Sequence, residues 1–445
     1  MNIVKNIIKF GIILLLSYFV GLIIVEPLDI YAKIGILLLP LIIIILLLNP
    51  MWGFMILLFI RPLITSFREY DFGGGLTLIG VFSLLNIVFA IFVLTRSLNA
   101  VLFPKNISLF YIYVFIALLS LINSIDISLS VAGLMKLLSL LALFLLSYNI
   151  PKSLEECLKI IRAILVSAVI PLSYGMYQVI THQGAVYGGR LLDLVRVNST
   201  LGIAHGFAYY SGIIILVSIL GLFYSRGQKD NIFNFFIIIV AMVCILFTYT
   251  RAIWISTLLT LCYIIIYERK VRKWFILSCI VLALSFYDEA LKRFDDLTNP
   301  PKYGTNSLVD RLEIYKGLLF NAFPKQPFLG FGVGVSQKVS EQYAHHKNVP
   351  HNDYIRVLVE TGILGLIAYL AFLGKIFFYL LGLIRRKVNF HANTIFLGIL
   401  IYYLIASMSQ NIFTYITSSG YIFVLMGLAQ KINDISEIGS KNKSF

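Results

Sequence analysis

The chain has 445 residues, of which 59% are hydrophobic and only 13% charged, with a net charge of +15. Soluble domains carry roughly 25% charged residues, so a soluble globular fold is excluded. Apolar runs of the roughly 20 residues that a spanning helix needs recur along the chain. They do not alternate, which excludes a transmembrane barrel. The positive excess reads as the bias of cytoplasmic loops and not as a nucleic-acid surface.

The fold class is therefore an all-α polytopic integral membrane protein, with about 12–14 transmembrane helices. One long external segment contains short amphipathic helices. In chain order the periodicity predicts helices near 6–25, 31–48, 51–66, 76–95, 107–123, 129–149, 157–180, 206–225, 231–249, 252–267, 273–287, 354–384, 393–412 and 416–431. The first run lacks a small-residue cleavage site and is read as a retained helix. The third contains Arg61-Pro62 and is expected to bend or re-enter. The organisation is then an N-terminal bundle of about 11 helices over 1–287, an external segment over 288–353, C-terminal helices over 354–431 and a cytoplasmic tail over 432–445. Cys157, Cys244, Cys262 and Cys279 have no metal or disulfide spacing and read as small core residues.

Orientation follows from charge. With the N-terminus inside, the inner segments include Arg269, Lys270, Arg272 and Lys273, and Arg385, Arg386 and Lys387. The short outer loops hold only Lys33, Arg68, Arg190, Arg196 and Arg251. That asymmetry puts both termini in the cytoplasm.

Two polar segments then lie outside, Thr181–Gly206 and Asp288–Asp353. In the second, LVDRLEIYKGLLFNAF (Leu308–Phe323) places Leu312, Tyr315, Leu318, Leu319 and Ala322 on one helical face. A Gly-rich turn, PKQPFLGFGVG, follows. Arg190, Arg196, Arg251 and Arg311 gather on this side, and guanidinium groups grip phosphate oxygens in pairs. Each has a plainer reading: a solvated charge for Arg190 and a local ion pair with Asp310 or Glu313 for Arg311. Arg251 opens a helix, where a cation is disfavoured, and so asks for a functional reason.

His345, His346 and His351 precede the helix at 354–384. His351 sits beside Asn352 and Asp353 where a cap is expected, and its imidazole suits a base. A site of His345, His346, His351 and Asp353 lacks any recognised metal spacing, so no metal is assigned. Arg356 reads as snorkelling to the interface or contacting substrate. Glu360 lies inside the membrane edge and needs a partner. Gly362 and Gly365 read as permitting close helix packing. There is no Walker A loop, and GFGVG does not follow a βαβ pattern.

These residues fall in a familiar order. RxxxTxG (Arg196–Gly202) is followed by His205, then TR-x-x-W (Thr250–Trp254), DRLxIYxG, PFLGFGxG and PHNDYIRVLVETGILGLIAYL. Over roughly 196–372 the chain resembles the O-antigen ligase and O-antigen polymerase superfamily of bacterial envelope enzymes. Thr250 stands where many members have Ser, Ala252 where Gly is frequent, and Asn198 and Ser199 where more glycine is expected.

The resemblance implies a multi-pass enzyme of the bacterial cytoplasmic membrane with its site facing outward. It would transfer a glycan from undecaprenyl pyrophosphate to an acceptor hydroxyl without a metal or other cofactor. Its partners would be the lipid-linked donor, a glycan or lipid-core acceptor, the bilayer and a chain-length regulator. By the same analogy Arg251 and Arg311, with His351, are catalytic. Arg196, Arg190, His205, Arg356, Asn352 and Glu360 bind substrate. The rivals are a flippase-like transporter, which predicts two similar halves, and a scaffolding protein.

Overall fold

The computed structural model describes residues 45–65, 77–97, 99–187, 194–225, 227–269 and 307–441, together with residue 272. The runs expected at 6–25 and 273–287, and nearly all of 31–48, lie outside the described residues, as do Arg190 and Cys279.

The described helices are α1 (Pro50–Ile64), α2 (Leu78–Arg96), α3 (Ser108–Leu119), α4 (Ile127–Asn149), α5 (Leu154–Ser167) and α6 (Val169–Thr181). They continue with α7 (Ala204–Phe223), α8 (Gln228–Phe247), α9 (Arg251–Tyr267), α10 (Ser307–Lys316), α11 (Ser336–Tyr343), α12 (Asp353–Arg385), α13 (Phe390–Ser407) and α14 (Ile416–Lys441). The all-α membrane architecture is what the composition requires. Seven of these stretches are long and apolar enough to cross a bilayer, with α5 and α6 taken as one; α1, α9 and the α3 region are shorter apolar helices.

Polar side chains start the helices where the sequence supplies them. Asn49, Thr77, Asp126, Ser153 and Asn352 each accept a backbone N–H in the first turn of the helix they precede. The apolar faces then pack as a bundle. α4 lies against α2 and α14, α7 against α8 and α13, and α12 against α3 and α13. The centre is aromatic: Tyr113, Tyr369 and Phe413 meet with ring centroids 5.5–6.2 Å apart.

Several expected elements differ in detail. The run at 157–180 is two helices meeting at Ala168, because Pro171 has no N–H to return to the turn before it. The segment before α7 holds a short antiparallel hairpin that alternation did not reveal, β1 (Ala185–Tyr187) with β2 (Leu194–Arg196). α13 ends at Ser407 and not at 412, so Ser409, Gln410 and Asn411 leave the helix. α14 runs to Lys441, beyond the expected 431, and Asn433 holds it to α13 through Asn393.

The amphipathic face at 308–323 is also corrected. Past Lys316 the helix widens into a π turn over Gly317–Ala322. Ile314, Leu318 and Ala322, at four-residue spacing, form the buried stripe with Val335, Val339 and Val359, while Leu312 is exposed.

Gly362 does not serve helix packing; it breaks α12. Its φ is +67°, and a Cβ there would overlap the Phe328 carbonyl. The freed backbone groups go to the PFLGFG turn. Phe331 and Gly332 donate to the carbonyls of Val359 and Glu360, at 3.0 Å each, and Ile363 donates to Pro327 at 2.8 Å. The turn is thereby docked into the break.

Candidate active site

The first half of the site is built where β2 meets the turn between α8 and α9. Val197 donates its N–H to the Phe247 carbonyl at 3.1 Å, which ties the hairpin to the end of α8. Tyr249 takes a left-handed conformation, φ +51°, to turn the chain into α9. Trp254 braces that turn from inside α9 by donating its indole N–H to Ile245 at 3.1 Å.

The turn presents two acceptors to Arg196. Its Nε donates to the Thr248 carbonyl at 2.7 Å, and its Nη2 donates to Thr250 Oγ1 at 2.9 Å. The same Nη2 lies 3.2 Å from His205 Nδ1. A guanidinium can only donate, so Nδ1 is the accepting nitrogen and the His205 proton sits on Nε2. Arg196 is buried at 8% exposure, while Arg251, the first residue of α9, is half-buried beside Thr250.

The second half is built on the loop between α13 and α14. Arg311, on α10, donates to the Ser409 carbonyl at 3.2 Å. His351 Nδ1 lies 2.9 Å from Gln410 Oε1. With the amide oxygen accepting, the proton is on Nδ1 and the Nε2 lone pair is free to act. Asn352 caps α12 and clamps the same loop, donating its N–H to Asn411 Oδ1 at 2.9 Å and its side-chain amide to the Met408 carbonyl at 3.0 Å. Burial, and then the nearby Arg311 charge, hold the His351 imidazole below its usual range despite the Gln410 bond. His205 lies within Coulombic reach of Arg196, His351 and Arg311 together, so the two halves face one another.

Other sequence candidates are placed elsewhere. Arg356 does not snorkel. It is 3% exposed and bonded to Asp353 Oδ1 at 3.1 Å and Glu360 Oε2 at 2.8 Å. Glu360 has the partner it required and also accepts the Ser336 N–H at 3.3 Å. Arg311 faces the Ser409 carbonyl, while Glu313 pairs with His346 at 3.2 Å nearer the surface. Gln410 and Asn411 were not singled out from sequence; their signal was a polar Ser-Gln-Asn triplet ending an apolar run. Among the described residues, no three His, Cys, Asp or Glu side chains converge as a metal-binding group would.

The arrangement combines fixed cationic donors with an imidazole whose free nitrogen is unprotonated near neutral pH. Such a pairing can hold an oxyanion leaving group on one side and accept a hydroxyl proton on the other.

Comparison with known families adds one match. Residues 235–370, a little under a third of the chain, match the family described as O-Antigen ligase. That range takes in Thr250, Arg251, Arg311 and His351, with α12 as far as Leu370; Arg196 and His205 precede it. A search of curated proteins finds no match. This match supports the resemblance to the O-antigen ligase and polymerase superfamily that the motif order carried.

Proposed function

Taking the chain as a member of that superfamily, we propose that it is a membrane glycosyltransferase that moves a glycan from undecaprenyl pyrophosphate to an acceptor hydroxyl. The reaction takes place on the outer face of the bacterial cytoplasmic membrane. The observation that carries this reading is the meeting of Arg196, His205 and the Thr250–Arg251 turn with Arg311 and His351.

In the proposed step the bond between the anomeric carbon and the diphosphate oxygen breaks, and its electron pair leaves with the diphosphate. The acceptor hydroxyl oxygen forms the new glycosidic bond and its proton passes to His351 Nε2. Arg251 and Arg311 contact the diphosphate and offset the charge that develops on it. Arg196 and His205 bind beside them, with Arg190 as a further contact. Gln410 holds Nδ1 of His351, and Asn352 ties the start of α12 to the loop that carries Gln410. Arg356 and Glu360 support α12 from within. Arginines fixed by carbonyl and hydroxyl acceptors suit this role because they need little reorganisation as the charge forms.

The test is to replace Arg251 by Gln and His351 by Asn separately in the native host, then resolve the envelope glycan on a gel at matched protein levels. Each variant is expected to lose roughly a hundredfold or more of product. Normal glycan ladders in both variants overturn the mechanism. In a null strain, single-repeat products mark a lost polymerase, and long lipid-linked chains that never reach their acceptor mark a lost ligase.

A further inference from the structure

A cavity of about 380 Å³ opens beside the active site, on the other side of the first turn of α7. Its volume falls in the range of roughly 300–1,000 Å³ typical of ligand pockets. His205 belongs to the active site, while Ile203 and Gly206 line the cavity. The remaining walls come from α1, α2, α4 and the start of α14, which lie outside the O-antigen ligase match.

Among the described residues, two cations line it, Arg61 and Lys136, and no carboxylate does. Arg61 is 5% exposed and has Nε and Nη2 donating to the Ile416 carbonyl, at 3.2 and 2.6 Å. Its Nη1 has no hydrogen-bond partner among the described residues, so the guanidinium is anchored at one edge and open at the other. Lys136 makes no hydrogen bond or ion pair among the described residues, and Glu360, an acid whose charge acts on it, is already held by Arg356. Lys136 lies nine residues into α4, about 13 Å along the helix axis. A charge at that depth is costly unless it faces a polar cavity or a ligand. Thr65, Thr77 and Thr417 add hydroxyls, and Ile79, Phe82 and Leu201 add apolar wall.

We propose that Arg61 and Lys136 form a second anion site, which holds the diphosphate of a lipid-linked acceptor while the Arg251–Arg311 site holds that of the donor. Cations answer the phosphate oxygens, hydroxyls the remaining lone pairs, and the apolar wall the first isoprene units. This rests on the glycosyltransferase reading above and sharpens it. A transferase with two diphosphate sites joins two lipid-linked glycans, so the chain is a polymerase.

The test is binding stoichiometry on the purified full-length chain in nanodiscs, with radiolabelled farnesyl diphosphate as probe. Two molecules per wild-type chain are expected, falling to one in Lys136→Gln and to one in Arg251→Gln. Lys136 has no hydrogen-bond or ion-pair partner among the described residues, so its replacement is expected to leave the fold intact; Arg61→Gln, which loses the Ile416 anchor, serves as the second variant and is also expected to bind one. A single molecule on the wild-type chain, or two retained in both Lys136→Gln and Arg61→Gln, overturns the second site. Inorganic pyrophosphate displacing the Lys136-dependent probe as well as unlabelled farnesyl diphosphate does overturns the lipid source. These outcomes are read without glycan synthesis. The transferase reading falls separately, on normal ladders from Arg251→Gln and His351→Asn.

Discussion

Arg356 Nη1 donates to Glu360 Oε2 across 2.8 Å, one helical turn apart and both almost fully buried. Asp353, on the other side, takes Arg356 Nε on Oδ1 and the Phe413 N–H on Oδ2 at 2.9 Å. The Arg356 guanidinium also lies 5.3 Å from the centre of the Phe413 ring. This buried set ties the start of α12 to the loop that carries Ser409 and Gln410, and so fixes where Arg311 and His351 find their partners.

Arg356→Met leaves two buried carboxylates without their cation. Breaking a buried pair from one side costs about 3–5 kcal/mol, so the variant is expected to melt well below wild type in detergent and to accumulate poorly. A substrate-binding role gives the opposite pattern: an unchanged melting temperature with lost glycan product. Thermal melting beside the glycan gel separates the two.

Gly362→Ala tests the break in α12. The left-handed backbone alone costs an alanine about 1–3 kcal/mol, and the new methyl group would overlap the Phe328 carbonyl. The PFLGFG turn must therefore move out of the break, exposing the carbonyls of Val359 and Glu360. The melting temperature is expected to drop. Gly374→Ala on the same helix, where a Cβ meets nothing within 4 Å, is expected to leave it unchanged. Equal melting of the two variants sinks the account.

The sequence made the bundle legible because helix-length apolar runs have one stable solution in a bilayer. Charge asymmetry leads to the expectation that Arg196, Arg251, Arg311 and His351 share one face, and the structure brings Arg196, Arg311 and His351 within reach of His205. The sequence could not show that Arg356 is buried, since snorkelling and a buried pair both suit an arginine near a helix start. Nor could it show Gly362 as a break, since small residues in membrane helices also serve close packing. The Arg196–Thr250 and His351–Gln410 contacts span 54 and 59 residues, and no local pattern encodes such pairings.

Acid pH tests the protonation state of His351. Burial and Arg311 lower its affinity for a proton from the ordinary value of 6.5. If its neutral form is the base, glycan transfer stays level from pH 8 to about 6.5 and declines only below that. Stability follows the same sign. Below about 6.5 the unfolded chain binds the proton more readily than the folded one, so His351 makes the fold less stable as pH falls, until the folded imidazole titrates too. In vitro transfer rates across this range check the first point. A decline that begins well above pH 6.5 contradicts it.

Gln410→Glu moves that pH profile in a direction that can be stated beforehand. The Gln410 amide oxygen lies 2.9 Å from His351 Nδ1. A carboxylate in its place keeps the hydrogen bond and adds a negative charge that favours the imidazolium. The His351 affinity for a proton rises, so the acid limb of transfer shifts to higher pH, while activity at pH 8 is largely retained. Gln410→Leu keeps the bulk, removes the acceptor and leaves the tautomer unfixed, so it lowers the rate at every pH without a comparable shift. A purely structural Gln410 predicts falling protein levels in both variants and an unmoved pH profile in the active fraction. The profile of Gln410→Glu, measured on folded protein, decides between them.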